Sequence, residues 1–240
     1  MSNISAGSLF HFTSDIKYLK SIIHNGFYPR LCKEDSVASI RHKFRPGQSY
    51  IPMVCFCDLP LSSVPDHMSS FGAYGLGLNK LWGMSKGITP VLYSHAGSPT
   101  SDALASMAAS FTKTKTDSPE LVTLLQFIKS YQGFVGDSKE LVRFYDEREW
   151  RYVPDIAMHE YFVNLNNASA PSDVQQVNEN LKSFPLGFDI GDIEYIIVDN
   201  DDDVIELIEW LEGYSTEANR RSILLLLSRI LTKRQIKEDF

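Results

Sequence analysis

Between residues 146 and 154 the chain reads Asp146-Glu147-Arg148-Glu149-Trp150-Arg151-Tyr152-Val153-Pro154, with five charges in six positions leading into Trp-Arg-Tyr-Val. Trp, Tyr and Val favour a pleated, half-buried surface. Read as a strand over 144–153, the segment alternates its side chains between two faces. Phe144, Asp146, Arg148, Trp150 and Tyr152 then share one face, and Tyr145, Glu147, Glu149, Arg151 and Val153 the other. Two carboxylates stand side by side, followed by an arginine. Such charges either protect an edge strand from pairing with other chains or line a polar cleft.

The N-terminal stretch adds a second polar corner. A short strand at 9–12 runs into a helix with Thr13 or Ser14 as its N-cap and Asp15 in the first turn. Ile16, Leu19, Ile22 and Ile23 recur at helical spacing, Gly26 fits the left-handed C-terminal position, and Phe27 supplies the apolar contact after it. Strand alternation puts Leu9, His11 and Thr13 on one face and Phe10 and Phe12 on the other. His11 and Thr13 thus stand together at a strand end beside a helix N-terminus, a corner that suits a polar ligand. The plainer alternative is a histidine whose ring caps a neighbouring carbonyl.

Length and composition bound the rest. The 240 residues are 43% hydrophobic and 12% aromatic, enough for one large cored domain. The net charge of −7 speaks against a general nucleic-acid or membrane-surface binder. The local basic run Arg41-His42-Lys43-Phe44-Arg45 reads first as a solvated loop. No apolar stretch reaches 18 residues and the first residues do not form a secretion leader, so no membrane span is expected. Three cysteines, Cys32, Cys55 and Cys57, make no disulfide framework, and a reduced cytoplasmic setting is the expectation. Cys55 and Cys57 share one strand face without a second ligand cluster, so they read as core thiols and no metal is expected.

A pass along the chain predicts a strand at 51–57, a short helix at 61–71 broken by Pro65, a strand at 75–78, a helix at 79–86 and a strand at 88–93. Gly72, Gly75 and Gly77 let backbone approach backbone or ligand closely, but they lack the Gly-Lys-Ser/Thr ending of a phosphate loop. An Ala-rich helix follows at 101–111, then a loop at 112–118. A helix from Pro119 carries Leu121, Leu124, Leu125, Ile128 and Tyr131 on its apolar side. Residues 156–188 are polar and irregular, with one helix near 172–183. A buried strand at 193–198, an acidic helix at 201–212, a helix at 216–224 and a strand at 226–231 follow, and Thr232 caps a terminal turn or helix. The organisation is a single domain over 1–240, with a helical insertion at about 97–135 and a C-terminal βα segment at about 190–240. The fold class is α+β, a mixed and partly antiparallel sheet with flanking helices.

Several pieces together resemble the AbiGi family of abortive phage-resistance proteins. They are Leu9-Phe10-His11-Phe12-Thr13, Asn25-Gly26-Phe27-Tyr28-Pro29-Arg30, Ile51-Pro52-Met53-Val54-Cys55-Phe56-Cys57-Asp58-Leu59-Pro60-Leu61, Tyr74-Gly75-Leu76-Gly77-Leu78, Pro90-Val91-Leu92-Tyr93 and Tyr145-Asp146-Glu147-Arg148-Glu149-Trp150-Arg151. A weaker likeness covers Gln235 to Phe240. The resemblance implies an anti-phage system with a toxin or antitoxin partner protein. A looser resemblance is to ADP-ribosyltransferases, carried by His11-Phe12-Thr13 on a first strand and by the Glu-x-Glu of Glu147-Arg148-Glu149 on a later one.

That second resemblance implies an ADP-ribosyltransferase-like fold and roles for six residues, with NAD as substrate and no metal. Breaking the nicotinamide–ribose bond passes through a cationic state that a carboxylate stabilises. Glu149 would hold the ribose 2′-hydroxyl, and Glu147 would receive the proton of the attacking group. His11 would hydrogen-bond the adenosine ribose with Thr13 beside it, and Tyr74 or Phe71 would stack on nicotinamide. His11, Thr13 and Glu149 would then line one cleft. Two functions follow: an NAD-using transferase or NAD-cleaving effector acting on a protein or nucleic-acid acceptor, or a non-catalytic antitoxin, sensor or nucleotide-ligand binder on the same fold.

Overall fold

The computed structural model describes residues 5–34, 49–114, 119–134, 140–155 and 171–239. Along the chain the elements are β1 (Ser8–Thr13), α1 (Ile16–Asn25), β2 (Arg30–Glu34), β3 (Ser49–Cys57), α2 (Val64–Phe71), β4 (Tyr74–Asn79), α3 (Lys80–Ser85), β5 (Thr89–Pro90), β6 (Leu92–Ser94), α4 (Pro99–Thr114), α5 (Pro119–Gln126), β7 (Ile128–Ser130), β8 (Gly133–Phe134), β9 (Leu141–Val142), β10 (Glu149–Tyr152), α6 (Pro171–Leu181), β11 (Ile193–Val198), α7 (Asp201–Glu212), α8 (Arg220–Leu227), β12 (Ile230–Thr232) and α9 (Lys233–Asp239). The class is α+β, with mixed, mostly antiparallel strands. The chain divides into two units. The first comprises Met1–Tyr28, Cys55–Thr89 and Pro185–Phe240, and the second Pro29–Val54 and Pro90–Phe184.

The first unit is built on the strand order β12-β11-β4-β1, and the end of β3 joins β1 through the pair Phe10–Cys57. β1 runs antiparallel to β4, β4 antiparallel to β11, and β11 parallel to β12 through a crossover that contains α7 and α8. The expected alternation on β1 holds. Phe10 and Phe12 enter a core with Cys57, Leu59, Val64, Met68, Ile197 and Ile236, while His11 turns to Phe27 and Phe56. Gly75 and Gly77 face Phe12 and Phe10 across the strand pair. A Cβ at either position would stand 2.6 Å from a ring carbon of its partner phenylalanine. The glycines therefore make room for two rings lying over the sheet, rather than for a ligand.

Several expectations shift by local chemistry. Asp15, not Thr13 or Ser14, caps α1 by accepting from the Lys17 N–H at 2.9 Å, and Thr13 ends β1. Pro65 lies in the first turn of α2, where its missing donor costs nothing, so it does not break the helix. Thr232 and Gln235 cap α9 reciprocally: Thr232 Oγ1 accepts from Gln235 N at 3.2 Å and Gln235 Oε1 from Thr232 N at 2.8 Å. The penultimate helix starts later than expected, at Arg220, because Asn219 Oδ1 accepts from the Thr216 N–H at 2.6 Å and holds residues 216–219 in a turn. The last strand shifts with it to Ile230–Thr232.

In the second unit, β2 pairs antiparallel with the start of β3, and α6 covers them through Leu181, Val174 and Val177 against Leu31 and Tyr50. The expected strand at 88–93 splits in two. Pro90 has no donor, the Val91 N–H goes to Glu149 O at 3.1 Å, and the Leu92 N–H goes to Phe127 O at 2.7 Å, so the chain changes neighbour between 91 and 92. The helix from Pro119 stops at Gln126, and Ile128 lies on β7, parallel to β6. α4 continues to Thr114, so the expected loop starts later. Residues 115–118 and the basic run 41–45 lie outside the described residues. No helix among the described residues is long and apolar enough to cross a membrane.

Replacing Gly77 by Ala should destabilise the first unit by about 1–3 kcal/mol, the usual cost of overpacking. Urea denaturation checks it, and the cost should shrink when Phe10→Leu removes the ring carbon that the new methyl meets. An unchanged midpoint for Gly77→Ala would show that the ring is not seated there.

Candidate functional site

The strand expected over 144–153 is not one strand. Phe144–Glu147 forms a 3-10 turn, closed by the Arg148 N–H donating to Tyr145 O at 3.2 Å. Arg148 then takes the left-handed conformation at φ 46°, the single non-glycine residue with positive φ among the described residues. Such a residue costs roughly 1–2 kcal/mol. β10 begins only at Glu149. Glu147 and Glu149 therefore do not share a strand face.

They meet nevertheless, through a residue the sequence did not single out. Lys129, on β7, places its Nζ 2.5 Å from Glu147 Oε2 and 2.6 Å from Glu149 Oε2. Glu149 and Arg151 are two apart on β10 and do share a face. Arg151 Nε donates to Glu149 Oε1 at 2.6 Å and Nη2 to Glu149 Oε2 at 3.2 Å. Arg151 Nη1 donates to Gln126 O at 2.8 Å, and Nη2 lies 3.0 Å from Glu34 Oε2. The Glu149 N–H donates to the Tyr93 hydroxyl at 2.8 Å. Arg151 is fully buried, and Glu149 is 5% exposed. Three carboxylates, Glu34, Glu147 and Glu149, face two cations, Lys129 and Arg151.

The electrostatics follow from this packing. Burial alone would raise the Glu149 carboxyl, but Arg151 and Lys129 outweigh it and hold the group down at about 2. Burial would lower the Lys129 ammonium, but Glu149 and Glu147, with Glu34 behind them, hold it well above the usual lysine value. Glu34 goes the other way: its burial exceeds the help from Arg151, and its carboxyl is raised. Tyr93 is pushed up to about 12, chiefly by burial.

The remaining candidates belong to the first unit. His11 is half-buried, with its ring edge-on to Phe27 at 5.1 Å and Phe56 at 5.9 Å. Its Nδ1 lies 2.8 Å from Cys55 O. A carbonyl only accepts, so Nδ1 carries the proton and Nε2 of the neutral ring is an acceptor. Burial lowers the pKa of this histidine, against the pull of the Cys55 carbonyl, so the neutral form holds at pH 7. Thr13 lies directly across from Tyr74. The Tyr74 hydroxyl donates to Asp203 Oδ2 at 3.1 Å, and burial together with that bond pushes it up to about 12. Phe71 is 47% exposed and stacks on His67 at 4.3 Å. Among the described residues no group of three His, Cys, Asp or Glu side chains converges as a metal site. Cys57 is buried, and Cys32 and Cys55 are half-buried.

Arg151→Met should cost about 3–5 kcal/mol, because it takes the guanidinium away from Glu34 and leaves the buried Glu149 with Lys129 alone. A chemical melt checks it, and a wild-type-like midpoint would remove Arg151 from the core of this unit. Glu149 has its pKa depressed on folding, so its stabilisation is complete above its unfolded value near 4.5 and is lost as pH falls towards 2. Glu149→Gln should therefore flatten the stability–pH curve in that window, where the carboxylate contributes about 3 kcal/mol.

Comparison with known proteins adds an independent line. Residues 25–199 match the model of a family described as "Putative abortive phage resistance protein AbiGi, antitoxin". An "Abortive phage resistance protein AbiGi" from Lactococcus lactis subsp. cremoris is 29% identical over 222 residues, which cover 80% of this chain and 89% of that protein. No solved structure matches the chain.

Proposed function

This chain belongs to the AbiGi family, whose members are abortive phage-resistance proteins, and we propose on that premise that it is the binding, antitoxin-type component of such a system, without turnover of its own. One observation carries this reading. Both oxygens of Glu149 are taken by Arg151 and Lys129 within the same unit. A carboxylate that stabilises a developing cation must offer it uncompensated negative charge. Glu149 instead has its charge matched by the buried Arg151 and the half-buried Lys129, in short charge-assisted hydrogen bonds. The pattern is that of a structural network, and the antitoxin wording of the family agrees with it. On this reading the partner is a toxin protein.

A second reading has its own support. The neutral His11 ring offers Nε2 as an acceptor, which suits a ribose hydroxyl, and Glu147 and Glu149 converge on one lysine. If NAD is cleaved, Glu149 would act on the ribose and Glu147 would take the proton of the incoming group, both within the second unit.

Incubating the full chain with NAD, alone and with its partner protein, and measuring released nicotinamide separates the two. The binding reading expects none, together with a destabilised Glu149→Gln variant. Nicotinamide release that falls about a hundred- to thousandfold in Glu149→Gln, the usual loss for one preorganised electrostatic group, would overturn it in favour of the transferase.

A further inference from the structure

We propose that the α7–α8 hairpin of the first unit is a self-association face, on which a second copy of this chain docks with two-fold symmetry. The two helices pack on each other and on β11. α7 buries Leu207 and Leu211, and α8 buries Ile223 and Leu226. What they turn outward is unusual. On α7, Asp202, Ile205, Glu209 and Glu212 follow helical spacing and form one exposed stripe, with Ile205 57% exposed in its middle. On α8, Arg220 and Arg221 stand one turn before Leu224 and Leu225, which are 56% and 51% exposed.

α7 has its first-turn acids, Asp201, Asp202 and Asp203, where the dipole favours them, but at the ends of α7 and α8 that meet the connecting loop the charges oppose the dipole. Glu209 and Glu212 occupy the C-terminal turn of α7, where the helix dipole favours cations, and no basic residue is there. Arg220 and Arg221 open α8, where the dipole favours acids, and no acidic residue is there. Other acids of α7 are matched within the chain: Glu206 by Lys20 at 2.6 Å, and Asp203 by the Tyr74 hydroxyl. Among the described residues, Glu209, Glu212, Arg220 and Arg221 take part in no ion pair. An isologous interface needs a patch that complements itself. This hairpin carries both halves: an acidic stripe around an exposed Ile and a basic pair beside two exposed Leu. A two-fold axis sets α7 of each copy against α8 of the other. Glu209 and Glu212 then face Arg220 and Arg221 twice, and the apolar side chains are covered between them.

The inference does not depend on whether the chain binds or cleaves, and charge exchange tests it. The variants are Glu209→Lys with Glu212→Lys, and Arg220→Glu with Arg221→Glu. Each places the sign that its helix dipole prefers, so both should fold, which circular dichroism checks. In sedimentation over a concentration series the full-length wild type should be dimeric. Each variant alone should be weakened by about a hundredfold or more, since like charges now face one another. An equimolar mixture of the two should recover a dimer, because each helix again meets its opposite. A monomeric wild type, a variant that keeps the wild-type dimer, or a mixture that stays monomeric would each overturn the proposal.

Discussion

The buried guanidinium of Arg151 is the contact on which the second unit depends. It is the largest fully buried side chain of the described residues. A charge taken so far out of water is tolerable only if its donors are satisfied. Arg151 spends them on Glu149, on Glu34 at the end of β2, and on the carbonyl of Gln126 at the end of α5. One residue thus ties three segments that are far apart in sequence. Lys129 extends the network to Glu147 and so to the turn before β10. The result is a polar network in the same unit as the apolar cluster of Leu104, Ala105 and Ile128 with Leu125.

Arg148 decides how the two glutamates stand. In a regular strand they would sit on one face about two residues apart and present two like charges side by side. The left-handed turn breaks that arrangement, and Lys129 gathers both carboxylates from different directions. This geometry neutralises them instead of displaying them, which is why the same Glu-x-Glu reads as catalytic in sequence and as structural in space. The first unit shows a related economy. His11 keeps a polar ring among Phe27 and Phe56 because the Cys55 carbonyl takes its one proton.

Much of the fold was legible from periodicity. β1 with its two faces, α1 with Gly26 at its end, the buried strand at 193–198, the acidic helix at 201–212 and the Thr232 cap all follow from spacing and capping chemistry. These features depend on neighbours within a few residues. Where reading failed, the deciding contact was distant. The strand at 88–93 splits because residues 91 and 92 bond to Glu149 and Phe127 respectively. Ile128 leaves its expected helix because β6 offers a parallel edge. Glu34 and Lys129 carry no motif, and only the presence of a buried arginine between acids signals that such partners must exist.

The sequence by itself determined which residue types were available: an α+β pattern, a histidine beside phenylalanines, and a dense run of acids and bases ending in sheet-forming residues. It also carried the family likeness. The tertiary structure alone decided what those charges do, because a carboxylate's role is set by what stands within about 3 Å of it, and the lysine that Glu147 and Glu149 share comes from β7, 18 and 20 positions away in the chain. Burial converts that proximity into energy, holding Glu149 ionised and Glu34 raised within one network. No spacing rule along the chain encodes that difference, since it depends on how deeply each carboxylate is buried and which cation it meets.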